Sequence, residues 1–144
     1  IHQAKSKFIS RGDESGTHKM ELGLWKLASI DVNGPWYVSA GQGMGEVLTI
    51  AAQMDGYTLT DRATYSAYRS KTGLEILVAG DTKLFNPYGV MAVNPQKYSA
   101  VNSAGATQFI EWLTSSEGQN RIADFKINGE QLFFPNAKQA TANK

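Results

Sequence analysis

The segment best equipped for chemistry is Ser10-Arg11-Gly12-Asp13-Glu14-Ser15-Gly16-Thr17-His18. It links a stretch of strand character, Lys7-Phe8-Ile9-Ser10, to a helix expected from about Thr17. A helix start carries backbone N–H groups without an intrahelical acceptor, and the positive end of the helix dipole lies there. Ser15 and Thr17 add hydroxyl donors, and Gly16 removes a side chain that would hold an anion away from the backbone. Arg11 supplies a full charge and a planar fork of N–H groups suited to pairs of oxygens. Together these are the parts of an oxyanion cradle. The same residues also make sense as ordinary local structure, with Ser15 or Thr17 capping the helix and Arg11 paired to Asp13 at the surface.

Other segments offer less. Gly41-Gln42-Gly43-Met44-Gly45 is rich in glycine but lacks the GxGxxG register and the phosphate-loop lysine. It is expected to form a tight turn before a helix, where it could line a cleft. Thr60 and Asp61-Arg62 could reach a ligand; the plainer reading makes Asp61 an N-cap and Arg62 a surface residue. Tyr88 could line a cleft or serve as a core or hinge tyrosine. His2 and His18 are the only histidines, and no HxxxH or HxE spacing exists, so no metal cation or other cofactor is expected. His18 could face a cleft. The absence of cysteine excludes disulfides, thiolate zinc sites and a cysteine nucleophile. Ser15 has His18 three residues on, but there is no GxSxG elbow and no evident acid–base pair of carboxylates. A serine hydrolase or phosphatase therefore has little support.

These residues must be positioned by the elements around them. A helix is expected over Thr17–Ile30, with Met20, Leu24, Leu27 and Ala28 forming an apolar stripe, ended by Asn33-Gly34-Pro35. Trp36–Ser39 has strand character. A second helix should cover Met44–Met54 with Val47, Leu48, Ala51 and Ala52 inward, stopped by Asp55-Gly56. Tyr57–Thr60 alternates as a strand does, and Asp61 should cap a short helix through Tyr65 and Tyr68. Leu74–Val78 is expected to be a buried strand, and Tyr88–Val93 another strand after the break at Asn86-Pro87. Helices follow at Ser103–Leu113 and from Ser116-Glu117-Gly118 through Phe125, then a docked extended segment at Gly129–Phe134 and a frayed tail at Lys138–Lys144. Trp25, Phe109, Trp112 and Phe125 sit at helical spacings and are expected in the core. Strands alternating with helices predict an α/β fold, a layered sheet with flanking helices.

The 144 residues suffice for one domain or part of a larger protein. Hydrophobic residues make up 42% and charged residues 19%, a balance that suits a globular chain and not a disordered one. Fourteen basic against 13 acidic residues leave a net charge of +1, too small a field for general nucleic-acid or polybasic membrane binding. A local anion site remains compatible with it. The longest apolar stretches, such as Leu74–Ala79, are too short to span a bilayer. The chain opens on Ile1-His2-Gln3 without a signal-peptide pattern and has the look of a mature form or a piece of one.

The run Ser10 to His18 also resembles the SRGDDSGTH segment of the tungstate-binding proteins that feed ABC transporters, with Glu14 in place of the second aspartate. The likeness extends through Trp36-Tyr37, Gly41-Gln42-Gly43-Met44-Gly45, Tyr57-Thr58-Leu59-Thr60-Asp61-Arg62 and Leu84-Phe85-Asn86-Pro87-Tyr88-Gly89-Val90. It continues in Phe109 to Gln119, with Ser116 where proline is usual, and in Asn128 to Pro135. That family has the two-lobed fold of type II periplasmic binding proteins, with its ligand held between the lobes at helix N-termini. The resemblance implies that Arg11, Ser15, Gly16 and Thr17 bind an oxyanion, tungstate first and molybdate next, with Ser10, Asp13, Thr60 and Tyr88 behind them or along the cleft. It further implies an extracytoplasmic protein partnered by an ABC permease and without catalytic residues. Phosphate receptors of the same superfamily have a similar R-x-D-x-S-G-T run, so phosphate is the rival ligand. The family's opening TTTS segment has no counterpart here. Residues 1–137 therefore resemble the second lobe and C-terminal return of such a protein, the first lobe being a missing partner.

Overall fold

A computed structural model of the chain describes residues 1–127 and 129–137. It divides into two compact units, Ile1–Leu84 and Phe85–Lys144. The expected frayed tail at Lys138–Lys144 lies outside the described residues, as does Asn128.

The first unit is built around β1 (Phe8–Ser10), all three of whose residues are buried. Strand β2 (Tyr37–Ser39) runs parallel to it in the register Phe8↔Tyr37, Ile9↔Val38, Ser10↔Ser39. On the other edge Tyr57 bridges Phe8, also in parallel. There the Ile9 N–H donates to the Tyr57 carbonyl at 2.7 Å and the Tyr57 N–H to that of Lys7 at 2.9 Å. The connections are helical: α1 (Gly16–Leu27) between β1 and β2, and α2 (Met44–Gln53) between β2 and Tyr57. A third helix, α3 (Arg62–Thr72), follows.

The alternation of a strand sorts these helices by face. Ile9 points one way, into a core of Met44, Val47, Leu48 and Ala51 from α2. Ile9, Val47 and Leu48 are each at most 1% exposed, and burying such a side chain is worth about 1.5–3 kcal/mol. Phe8 and Ser10 point the other way, toward α1, where Trp25 meets Phe8 edge-on at 5.0 Å. Steps from β1 to β2 and from β2 to Tyr57 run in opposite directions across the strands. Right-handed crossovers then require their helices on opposite faces, as found.

The helix ends follow local chemistry. Ser15 caps α1, its hydroxyl oxygen accepting from the His18 N–H at 3.3 Å. Asp61 caps α3, accepting from the Thr64 N–H at 2.8 Å as expected from its sequence position. Helix α1 stops at Leu27 and not at Ile30, because Ser29 takes a left-handed conformation with φ 54°. The Ser29 and Ile30 N–H groups then fold back onto the Lys26 and Trp25 carbonyls at 3.0 Å. Leu27, expected inward, is consequently 71% exposed on the last turn.

The expected strands at Leu74–Val78 and Tyr88–Val93 are irregular. Only Leu74 joins the first unit's core, whereas Leu77 and Val78 are more than two-thirds exposed. A strand is defined by pairing and not by apolar composition, and neither segment pairs with a strand among the described residues.

The second unit holds α4 (Ser103–Thr114), capped by Asn102, and α5 (Ser116–Asp124), capped by Ser115. A short antiparallel pair follows, β3 (Lys126–Ile127) with β4 (Glu130–Gln131). The buried Gln119 amide donates to the Leu113 carbonyl at 2.8 Å and accepts from the Asn136 and Ala137 N–H groups at 3.1 and 3.0 Å. It thereby ties Asn136 and Ala137 to the α4–α5 elbow. Of the expected docked segment Gly129–Phe134, Leu132 is buried while Phe134 is exposed. Phe109, Trp112 and Phe125, expected in the core, are each more than 40% exposed. Within this unit the face carrying Trp112 and Phe125 opens onto a shallow cavity of about 320 Å³, also lined by Leu113, Ile122 and Phe133. Among the described residues no helix is long and apolar enough to cross a membrane.

Candidate functional site

Where β1 ends, the chain enters the loop Arg11–Ser15 and turns into α1. Gly12 is required there twice over. It has φ +60°, and a Cβ on it would fall 1.9 Å from the Ser39 hydroxyl oxygen of β2. Glu14 also takes a left-handed conformation, with φ 60°. Its N–H donates to Nδ1 of the buried His18 at 3.1 Å, which braces the turn.

Asp13 organises the loop. One carboxylate oxygen, Oδ2, accepts from Arg11 Nη2 at 2.6 Å and Nε at 3.1 Å, and Oδ1 accepts from the Ser15 N–H at 3.2 Å. The Ser15 side chain, then Arg11 and the Ser15 N–H, hold the Asp13 carboxyl down to about 2. Asp13 is thus a fixed anion that orients Arg11. The plain alternative, a local Arg11–Asp13 pair with Ser15 as cap, is present geometrically. It does not exclude ligand binding, since the pair engages only Nε and Nη2 of the Arg11 fork, which has five N–H donors. Thr17 is half-buried, and Gly16 faces open space, with nothing within 4 Å of where its Cβ would be.

Arg11, Ser15, Gly16 and Thr17 therefore lie together on one turn, at the carboxyl end of a parallel strand. Ligands of open α/β sheets characteristically bind at that end. The glycine-rich turn adjoins them, because the Gln42 N–H donates to the Arg11 carbonyl at 3.2 Å. Ser10 lies behind the turn, 1% exposed, with its hydroxyl donating to Glu21 of α1. Thr60 is half-buried after Tyr57, and its hydroxyl donates to the Asp61 carbonyl at 3.1 Å. Tyr88 belongs to the second unit, where its ring meets Phe133 at 6.1 Å.

Two neighbours of the turn, Glu21 and Tyr37, are not among the candidate site residues read from the sequence. Glu21 is 3% exposed and accepts from both Ser10 and the Trp25 indole N–H, the latter at 2.9 Å. The Tyr37 hydroxyl is buried without a hydrogen-bond partner among the described residues. Burial, opposed by nearby Ser10 and reinforced by Glu21, pushes its phenol up to about 12. An acidic residue and a tyrosine inside amphipathic segments look like surface and core positions. Only the fold brings them to Ser10.

Chemically, the turn offers donors and one cation. His18 Nδ1 accepts the Glu14 N–H, so the neutral ring carries its proton on Nε2 and is no base for Ser15. No group of three or more His, Asp or Glu among the described residues could hold a metal ion.

A family described as a PBP superfamily domain matches residues 2–117, and the chain belongs to that superfamily. Within it, the chain is 50% identical over 139 residues to a tungstate-binding protein of Peptoclostridium acidaminophilum, covering 95% of this chain and 49% of that one. A crystal structure of a tungstate ABC transporter protein from Geobacter sulfurreducens matches with 52% identity and a TM-score of 0.78, over 85% of this chain and 52% of that one. A tungstate-binding protein from Desulfovibrio alaskensis matches at 44% identity and a TM-score of 0.75, over 96% and 58% respectively. The chain thus spans about half the length of the curated relatives it matches.

Proposed function

We propose that this chain is part of an extracytoplasmic solute-binding protein that captures a tetrahedral metal oxyanion, tungstate before molybdate, for an ABC permease. The observation that carries the reading is the turn Arg11–Thr17. An arginine oriented by Asp13 stands beside an open helix N-terminus with two hydroxyls, in a chain half identical to a tungstate-binding protein. Arg11, Ser15, Gly16 and Thr17 are the ligand-binding residues. No covalent step is involved, so the protein is a carrier and not an enzyme.

Tungstate is preferred over phosphate for a physical reason. Metal oxyanions of this kind are fully deprotonated at neutral pH and need only donors. Phosphate retains a proton and needs an acceptor in a dry site. The carboxylate closest to the turn has both oxygens engaged, one by Arg11 and one by the Ser15 N–H. Residues 1–137 correspond to the second lobe and C-terminal return of a two-lobed protein. The first lobe, supplied by the remaining length seen in relatives, forms the other wall of the site.

Calorimetric titration with tungstate, molybdate, sulfate and phosphate tests this on the chain together with its first lobe. Tungstate and molybdate should bind, and millimolar phosphate should not displace micromolar tungstate. Effective competition by phosphate would make the chain a phosphate receptor instead. Turnover of a phosphate or carboxylic ester would replace the carrier reading with a hydrolase.

A further inference from the structure

The buried acid Glu21 has no part in the binding set just described, yet it connects to it through a continuous chain of hydrogen bonds. Glu21 is 3% exposed and Ser10 is 1% exposed. The Ser10 hydroxyl donates to Glu21 Oε2, and the Trp25 indole N–H donates to Glu21 Oε1 at 2.9 Å. With its proton committed to Glu21, the Ser10 oxygen is an acceptor, and it receives the Gly12 N–H at 3.2 Å. Gly12 is the left-handed residue between Arg11 and Asp13, pressed against Ser39. The direction of every bond in the series follows from Glu21 being able only to accept when ionised.

A carboxylate inside a protein is costly unless it is fully hydrogen-bonded. Nothing about the apolar packing of α1 on Phe8 needs an acid at this position, since a leucine or methionine would fill similar space. What the acid adds is a fixed orientation for Ser10, and through it for the Gly12 amide. We propose that Glu21 is a positioning residue for the anion-binding turn: acting through Ser10, it fixes the Gly12 N–H and so holds Arg11 and Asp13 where they meet the ligand. This rests on the reading of Arg11–Thr17 as the anion site.

Glu21→Gln is nearly isosteric and separates this role from packing. The amide oxygen can still accept from Trp25, but its NH₂ then faces the Ser10 oxygen and competes there with Gly12. Ser10→Ala removes the relay while leaving Glu21 bonded to Trp25, and it serves as a second route should Glu21→Gln fold poorly. Both variants and their combination would be made in the 144-residue chain and followed by amide NMR, hydrogen exchange and tungstate titration.

Without ligand, the Gly12 amide should shift and exchange faster in each variant, while core amides of Ile9 and Leu48 keep their protection and the melting temperature stays close to that of the unsubstituted chain. With tungstate, each variant should bind about tenfold more weakly, in the range seen when residues supporting ligand-binding groups are lost. The double variant should be no worse than either single one. Unchanged affinity in Glu21→Gln and Ser10→Ala overturns the proposal. So does a loss that tracks general destabilisation, with Gly12 exchange rising only in step with the core. If tungstate shifts no amide at Gly16 or Thr17 even in the unsubstituted chain, the anion-site reading itself fails and takes the positioning role with it. Shifts at those amides together with unaltered variants reject Glu21 alone.

Discussion

Arg11 and Asp13 show that a surface pair is compatible with the binding role proposed for Arg11. The guanidinium is held by Asp13 at 2.6 Å without being used up, because the fork has five N–H donors and the pair engages only two nitrogens. In the two-lobed protein, Arg11→Ala should weaken tungstate binding by about 1.5–3 kcal/mol, the range for a hydrogen bond to a charged group. Arg11→Lys should recover only part of that, since a point charge replaces the fork. Calorimetry decides, and equal affinity in Arg11→Ala would return the residue to a purely surface role. Asp13 makes a second expectation. Its carboxyl sits at about 2 when folded against an ordinary 3.8. A depressed acid stabilises the folded loop above the ordinary value, and that contribution is lost as pH falls from about 4 through the folded value. The Asp13 carboxyl carbon should therefore titrate by NMR with a midpoint near 2, leaving the Arg11 pair intact at mildly acidic pH. An ordinary midpoint would mean that neither Ser15 nor Arg11 holds the carboxylate.

At the scale of elements, packing depends on a few close approaches. In α5, a Cβ on Gly118 would lie 2.2 Å from the Trp112 carbonyl oxygen and 2.8 Å from that of Leu113. Those are backbone atoms of α4 and cannot swing aside. Gly118→Ala should open the α4–α5 elbow and cost about 1–3 kcal/mol, typical of overpacking. It should also release the Asn136 and Ala137 amides from Gln119, so faster hydrogen exchange at those amides is the check. Elements with a local cause were legible in the sequence. Asp61 announced α3, the glycine-rich turn announced α2, and Ser15 marked the start of α1 to within a residue or two. Elements that depend on a partner were not. Leu74–Val78 and Tyr88–Val93 have the apolar composition of strands, but pairing is a property of two edges, and composition reports on one. The candidate site was legible in the same partial way. Arg11 to Thr17 are contiguous and carry their meaning in order, whereas Glu21 reaches Ser10 only because α1 folds back over β1.

The whole molecule carries apolar surface that its own described residues leave open. Leu77, Val78, Phe85, Tyr88 and Met91 are each more than 65% exposed, Phe109 is more than half exposed, and Trp112 and Phe125 border the cavity of the second unit. Patches of this kind drive association. The isolated chain should self-associate in sedimentation velocity, and addition of the separately made first lobe should suppress it. The binding site should respond in parallel. With one wall open to water, the arginine is screened and each hydrogen bond competes with solvent, so the chain alone should bind tungstate on the order of millimolar, about −4 kcal/mol. Adding the first lobe should tighten that by orders of magnitude. Tight binding by the chain alone would mean that the site is complete within it or built across two copies of it, and the one-wall argument would fall.

The indole of Trp25 has one further consequence. It donates to Glu21 and stands 5.3 Å from Trp36 at an interplanar angle of 76°. Two indoles so close and so inclined couple their strongest electronic transitions, and such a pair is expected to give a circular-dichroism couplet in the far ultraviolet. One member of the pair is hydrogen-bonded to the acid that reaches the anion turn through Ser10. Under the proposed function the indole pair is a reporter of ligand binding: its circular dichroism and emission should change as tungstate is added. Trp36→Phe should abolish the exciton couplet while leaving the emission of Trp25 responsive.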